Sequence, residues 1–245
     1  MAKFQCVNEL VKALQPIDPV YCFRKQSLKL ASNWFNHNFP GDVLYAVKCN
    51  PTETVVKTLI KNGINSFDTA SIDEIKLIKK ISPSSKIYFM HTIKKEKSIY
   101  EAYFLYNVKA YAFDSKEELE KILKITKNAK DLELFLRVQT SNEHAEIDLS
   151  KKFGANINEA VSLSKIAKSK SKKFGFSFHV GSQCMHPIAY SKAIKDLGNI
   201  IKKSNIIPDI INVGGGFPTT YPDLYPQPIK NYFLEIARAI KKLNL

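Results

Sequence analysis

From position 43 onward the chain repeats one unit: a short run rich in β-branched and aromatic side chains that ends in a polar residue, then a longer stretch whose apolar positions fall three and four apart. The runs are VLYAV (43–47), INSF (64–67), KIYFM (86–90), AYAF (110–113), LELFL (132–136), FGFSF (174–178) and DIINV (209–213), and they predict seven strands. Helix-start signals stand between them. Asn50-Pro51 with Glu53, Ser71 with Glu74 and Ser115 with Glu118 each pair a side-chain oxygen with a nearby Glu that caps back. Apolar stripes such as Ala193, Ile194, Leu197, Ile200 and Ile201 predict helices that cover the outside of a sheet.

Strands alternating with helices through short connections predict a parallel sheet, either doubly wound or closed as a (β/α)8 barrel. A dinucleotide fold carries its glycine-rich turn after the first strand; here Gly214-Gly215-Gly216 follows the seventh run, which favours the barrel. Residues 1–42 read as a separate lead-in, with a strand at YCFR (21–24) and a helix bearing Leu28, Leu30, Ala31, Trp34 and Phe35; residues 43–245 read as the barrel. After the seventh run come a loop with Pro218, Pro222, Pro226 and Pro228, a helix around Phe233, Ile236, Ala237 and Ile240, and then Leu245. No eighth run is visible. Seven strands of an eight-strand barrel leave two unpaired edges, so the expectation is the N-terminal part of a longer protein or the product of a shortened gene.

Composition narrows the partners. At 245 residues, 44% hydrophobic, with mean hydropathy −0.20, the chain has the core of one large domain and is not intrinsically disordered. No apolar run exceeds five residues and the first ten residues place Asn8 and Glu9 where a leader needs its apolar stretch, so neither a membrane span nor export is expected. Cys6, Cys22, Cys49 and Cys184 are far apart and form no metal-site spacing, which fits a reducing cytoplasm and no metal. The net charge of +14 invites a nucleic-acid reading, but only Arg24, Arg137 and Arg238 are arginines, and the lysines are spread as solvated helix faces. No nucleic-acid binding is expected.

Barrel chemistry sits at the carboxyl ends of the strands, which nominates Lys48, Asp68, His91, Asp114, Arg137, His179 and the three glycines. Lys48 at the inner top of a closed barrel is either an amine of lowered pKa that condenses with a carbonyl or a lysine that snorkels to the rim. Gly214, Gly215 and Gly216 present bare amides to an anion, and Gly181-Ser182 adds a hydroxyl; the alternative is two tight turns. Asp68 holds the charge of a site or caps a helix, Glu74 has the same capping alternative, and His179 stacks on an aromatic ring or fills the core.

YAVKCNP (45–51), FDTASIDEI (67–75), FDS (113–115), LRVQTS (136–141), KKFGA (151–155), SFHVGSQ (177–183) and INVGGGFP (211–218) together resemble, in order and spacing, the fold-type III pyridoxal-phosphate decarboxylases, the ornithine decarboxylase branch most of all. The likeness runs over residues 20–240. It implies an alanine racemase-like barrel followed by a β-rich domain, with active sites at a homodimer interface. Position by position it implies that Lys48 bonds the aldehyde of pyridoxal 5'-phosphate, that His179 stacks on the pyridine ring, and that Ser182 with Gly214, Gly215 and Gly216 cradles the phosphate. It further places Asp68 and Arg137 near the cofactor and the lysine, Glu74 in the same surroundings, and Lys152 in a pairing across the dimer.

The resemblance implies decarboxylation of a basic amino acid, ornithine before lysine, in polyamine synthesis. Gln183 departs from the glycine of many ornithine enzymes and resembles diaminopimelate decarboxylases, so diaminopimelate and arginine decarboxylation are the alternatives within the class. A catalytically inactive, partner-binding or cofactor-holding paralogue is the alternative outside it. The family's Glu-Pro-Gly-Arg strand and C-terminal domain would lie beyond Leu245, so residues 1–245 alone are expected to turn over little substrate.

Overall fold

All seven runs are strands of one sheet in the computed structural model, which describes residues 3–140, 145–147 and 152–245, the middle segment by its backbone alone. They are β1 (Leu44–Ala46), β2 (Ser66–Thr69), β3 (Lys86–Phe89), β4 (Ala110–Phe113), β5 (Glu133–Arg137), then, after a short β6 (Ala145–Ile147), β7 (Lys173–Ser177) and, after a short β8 (Ser182–Cys184), β9 (Ile210–Asn212). The sheet is parallel and its order is β1-β2-β3-β4-β5-β7-β9. A doubly wound sheet reverses its strand order at a switch point; this order never reverses, so the sheet curls in one direction as a barrel wall. β1 and β9 are its two edges.

Helices follow the strands: α3 (Glu53–Lys61), α4 (Ile72–Ile81), α5 (Glu96–Tyr100, continued by one π-helical segment to Leu105), α6 (Lys116–Ile125), α7 (Ile157–Lys170), α8 (Ile188–Ser204) and α9 (Ile229–Lys242). At two of the three expected caps the serine half forms, Glu74 N donating to Ser71 Oγ and Glu118 N to Ser115 Oγ, each at 3.2 Å, while Glu74 bonds back to Ala70 N and Glu118 pairs with Lys94 instead of the cap. At α3, Asn50 Oδ1 instead accepts from Thr52 N at 3.1 Å, one turn before the helix starts. The α8 stripe is buried throughout. No described helix is long and apolar enough to cross a membrane.

Alternation along each strand divides the sheet into two faces. Phe67, Phe89, Tyr111, Phe113, Leu134, Leu136, Phe174 and Phe176 point outward into the large core shared with the helices. Tyr88, Ala110, Ala112 and Phe135, with Leu44, Met90 and Ile210, form a second cluster on the inner face. Gly175 makes that packing possible, since a Cβ there would lie 2.8 Å from the Phe135 ring. By the same alternation Asp68, Asp114, Arg137, Ser177, His179 and Asn212 belong to the inner face near its carboxyl end, in register Arg137↔Ser177↔Asn212.

The lead-in segment differs from expectation. Helices α1 (Val7–Leu14) and α2 (Lys25–Asn38) are present, but residues 21–24 pair with no described strand, and Tyr21 is fully exposed. An apolar run becomes a strand only where an edge accepts it, and neither edge of the sheet reaches it here. On α2, Leu30 and Ala31 face solvent while Leu28, Ser32 and Phe35, with Phe39 just after the helix, line the inward side, because Phe35 and Phe39 close on Phe233 of α9 at 5.4 and 5.2 Å.

Candidate active site

The nominated side chains meet at the open end of the barrel wall. Lys48 lies in a 3-10 turn (Val47–Cys49) directly after β1. It is exposed, not buried, because β1 is an edge with no strand on its far side. Its ammonium makes no hydrogen bond among the described residues, and it acts electrostatically on both Asp68 and His179. Asp68, on β2, pairs in register with Ala46 and Tyr88. Burial pushes its carboxyl up to about 6, and Glu74 adds to the rise, against the lowering pull of Lys48 and Arg137. Glu74 itself has its cap role, accepting from Ala70 N at 2.8 Å.

Arg137 ends β5 and packs its guanidinium 4.9 Å from the centre of the Phe153 ring, whose other neighbour is His91. Burial lowers its pKa, while Asp114 and Asp68 raise it. Asp114 in turn accepts from Gly154 N at 2.9 Å, which ties the end of β4 to the chain leading into α7. Lys152 is exposed at the start of that stretch.

His179 follows β7 and is the best-defined member. Thr140 Oγ1 donates to its carbonyl at 3.0 Å, and Gly181 N donates to its Nδ1 at 3.0 Å. With Nδ1 an acceptor, the neutral ring carries its proton on Nε2. Burial, with Arg137 and Lys48 nearby, pushes its pKa down to about 4. Nε2 lies 3.5 Å from where a Cβ on Gly215 would stand, so the ring faces the glycine turn. The same imidazole thus faces the glycine turn and feels the positive charge of Lys48.

The two titrations oppose each other in stability. Between about pH 4 and 6.5 the unfolded chain binds the His179 proton and the fold does not, so that contribution rises with pH; between 3.8 and about 6 the fold holds the Asp68 proton and that contribution falls with pH. Global unfolding therefore hides both. Nitrogen-15 NMR of the histidines is expected to show His179 as the neutral Nε2-protonated tautomer down to a midpoint near pH 4, and a midpoint near 6.5 would contradict this geometry.

The glycine turn is built against the preceding loop. Gly214 (φ +69) and Gly216 (φ +99) lie in the left-handed region, and a Cβ on them would overlap the carbonyl oxygens of Phe178 and Gly181 respectively. Gly214 N donates to Asn212 Oδ1 at 2.9 Å, while the carbonyls of Gly215 and Gly216 accept from Tyr190 Oη and Cys184 N, both at 2.9 Å. The amides of Gly215 and Gly216 donate to nothing among the described residues. Two N–H groups with no partner among the described residues, beside a neutral imidazole, can receive an anion.

Ser182 opens β8, which pairs antiparallel with β6 in register Ile147↔Ser182, so it stands in a ribbon where a simple turn was expected. Gln183 adopts φ 50, a conformation suited to glycine, and its side-chain amide exchanges two 2.9 Å hydrogen bonds with Thr219, fixing the chain after Pro218.

Three other features were not anticipated. The Ser177 hydroxyl is buried on the inner face, in register with Arg137, with no partner among the described residues. Lys94 is fully buried beneath His91; its Nζ donates to the carbonyls of His91 (2.8 Å) and Ala112 (2.6 Å) and pairs with Glu118 at 2.9 Å, and burial brings its pKa down to about 8. Tyr190 and Tyr232 anchor the loops. A tyrosine within the α8 stripe was a readable signal, because a buried hydroxyl needs an acceptor.

Residues 25–244 match the family described as "Pyridoxal-dependent decarboxylase, pyridoxal binding domain". The chain belongs to this family of fold-type III pyridoxal-phosphate decarboxylases. It is 29% identical over 240 residues to the lysine/ornithine decarboxylase of Selenomonas ruminantium, which covers 96% of this chain and 56% of that protein. It is 35% identical over 202 residues to antizyme inhibitor 2 of Xenopus laevis, 80% of this chain and 42% of that protein. The Paramecium bursaria Chlorella virus arginine decarboxylase bound to agmatine superposes with a TM-score of 0.84 at 32% identity, over 97% of this chain and 64% of that one. The chain therefore spans roughly half of the length of the relatives it matches.

Proposed function

We propose that this chain supplies the pyridoxal 5'-phosphate site of a decarboxylase acting on a basic amino acid, L-ornithine first, in cytoplasmic polyamine synthesis. The carrying observation is that one imidazole, His179, faces the glycine turn at Gly215 and feels the positive charge of Lys48. When bound, the cofactor supplies an electron sink for the bond to the departing carboxylate.

The residues present fit that group. Gly215 and Gly216 would donate to the phosphate, with Ser182 adding its hydroxyl. Neutral His179 would offer a flat, uncharged face to the ring. Lys48, exposed after β1, would hold the group at its aldehyde. Arg137 and Asp68 would balance charge around the Lys48 amine, the Asp68 carboxyl being raised to about 6 by burial against the lowering pull of Lys48 and Arg137. Lysine, arginine and diaminopimelate are the alternative substrates, and the relatives' names favour ornithine, lysine or arginine. A non-catalytic module is the second reading, favoured by one observation: a relative matching 80% of the chain is named for inhibiting antizyme, not for decarboxylation.

The test is release of labelled carbon dioxide from the α-carboxyl of ornithine, lysine, arginine and diaminopimelate, by residues 1–245 alone and with a supplied C-terminal half of a relative. With both edges of the sheet open, residues 1–245 are expected to bind the cofactor and release no appreciable carbon dioxide; the completed assembly is expected to prefer ornithine. Appreciable turnover by residues 1–245 counts against the first expectation, and cofactor binding without turnover in the completed assembly favours the module. Sedimentation of the same preparations tests the proposed homodimer, with Lys152→Glu expected to weaken it.

A further inference from the structure

Two buried tyrosines hold the glycine turn and its neighbouring loop in place from behind. Tyr190 on α8 donates its hydroxyl to Gly215 O at 2.9 Å, and Tyr232 on α9 donates to Cys184 O at 2.8 Å; both residues are fully buried. Cys184 N in turn donates to Gly216 O at 2.9 Å, so the two loops are tied to each other as well as to the helices. The Tyr190 ring stacks on Phe217 at 5.2 Å and 9°, and Tyr232 meets Phe217 edge-on at 6.2 Å, so the rings are seated independently of their hydroxyls.

Peptide planarity gives these bonds a consequence for binding. The carbonyl of Gly215 and the N–H of Gly216 belong to one rigid plane and point in opposite directions. Drawing Gly215 O back toward α8 therefore turns Gly216 N–H forward, away from the helix. The second tie acts on the other side of Gly216: Tyr232 fixes Cys184, and Cys184 fixes the carbonyl of Gly216. A glycine segment without such ties would sample many orientations, and ordering it would weaken anion binding.

We propose that Tyr190 and Tyr232 are positioning residues that set the phosphate affinity of this site by aiming the Gly216 amide and holding the glycine turn that carries it. The inference rests on reading that turn as the phosphate cradle. Tyr190 is well suited to act as a permanent donor, since burial raises its pKa well above the ordinary tyrosine value.

The experiment compares pyridoxal 5'-phosphate with pyridoxal, which lacks the phosphate, by equilibrium titration of the full chain followed through ligand absorbance. Tyr190→Phe keeps the ring stack and removes one hydroxyl. It is expected to weaken pyridoxal 5'-phosphate about fivefold while leaving pyridoxal unchanged, as loss of one net hydrogen bond implies. Tyr232→Phe is expected to shift the same ratio in the same direction. Tyr111→Phe, which removes a buried hydroxyl bonded to Val108 O on the helix side of β4, is expected to leave the ratio unaltered. An unchanged ratio in both Tyr190→Phe and Tyr232→Phe, or equal loss of both ligands, overturns the proposal. A wild-type chain with no preference for the phosphorylated ligand overturns the cradle reading itself, and the two failures are thereby told apart.

Discussion

Lys48→Ala is expected to abolish covalent retention of pyridoxal 5'-phosphate. Borohydride reduction followed by mass spectrometry should find the label on the peptide holding residue 48 in the wild type and on no peptide in the variant. The expectation follows from access. Lys48 is exposed, its amine makes no hydrogen bond among the described residues, and its charge acts on the same imidazole that faces the glycine turn. Lys94, also at this end of the barrel, has a lowered pKa of about 8 but is fully buried and held by two carbonyls and Glu118, so it does not substitute. Lys48→Arg separates charge from bonding: it preserves the positive field on Asp68 and His179 and is expected to lose the label equally. Undiminished label in Lys48→Ala would place the aldehyde elsewhere.

Gly214→Ala and Gly216→Ala are expected to have the largest effect on folding of any single substitutions at the site. Both positions combine a left-handed φ with a Cβ that would overlap a carbonyl oxygen of the 178–181 loop. Relief requires moving the backbone that carries His179, and each is expected to cost about 2–4 kcal/mol by denaturant unfolding. Gly215→Ala is the contrasting case. Its φ lies outside the left-handed region and its Cβ would meet only His179 Nε2 at 3.5 Å, an ordinary contact. It should fold within about 1 kcal/mol of the wild type, as a substitution that neither clashes nor strains, and should still lose phosphate affinity by crowding the bare amides. Equal destabilisation by all three would contradict the close approach of these two loops.

Much of this architecture was legible before any coordinates. Seven apolar runs became seven strands whose ends lie no more than two residues from the predicted ones, because β-branched and aromatic runs bounded by caps carry local information. The placement of Asp68, Arg137 and His179 at the carboxyl ends of strands was legible for the same reason. What the local pattern lacked was edge context. YCFR looks like a strand but has no edge to join, and Lys48 looks buried only if a strand covers β1. The β6–β8 ribbon depends on pairing between segments more than thirty residues apart, which no window registers. Ser177, Tyr190 and Gln183 escaped because their significance lies in which hydrogen bonds are made or left open, a property of the packed structure.

The most direct test of the central claim is a crystal structure of the chain with pyridoxal 5'-phosphate. The account predicts one ligand, joined at its aldehyde to Lys48 Nζ, lying against the His179 ring, with phosphate oxygens within hydrogen-bond distance of the amides of Gly215 and Gly216. A phosphate bound away from those amides, or an aldehyde bonded to any other lysine, would contradict it.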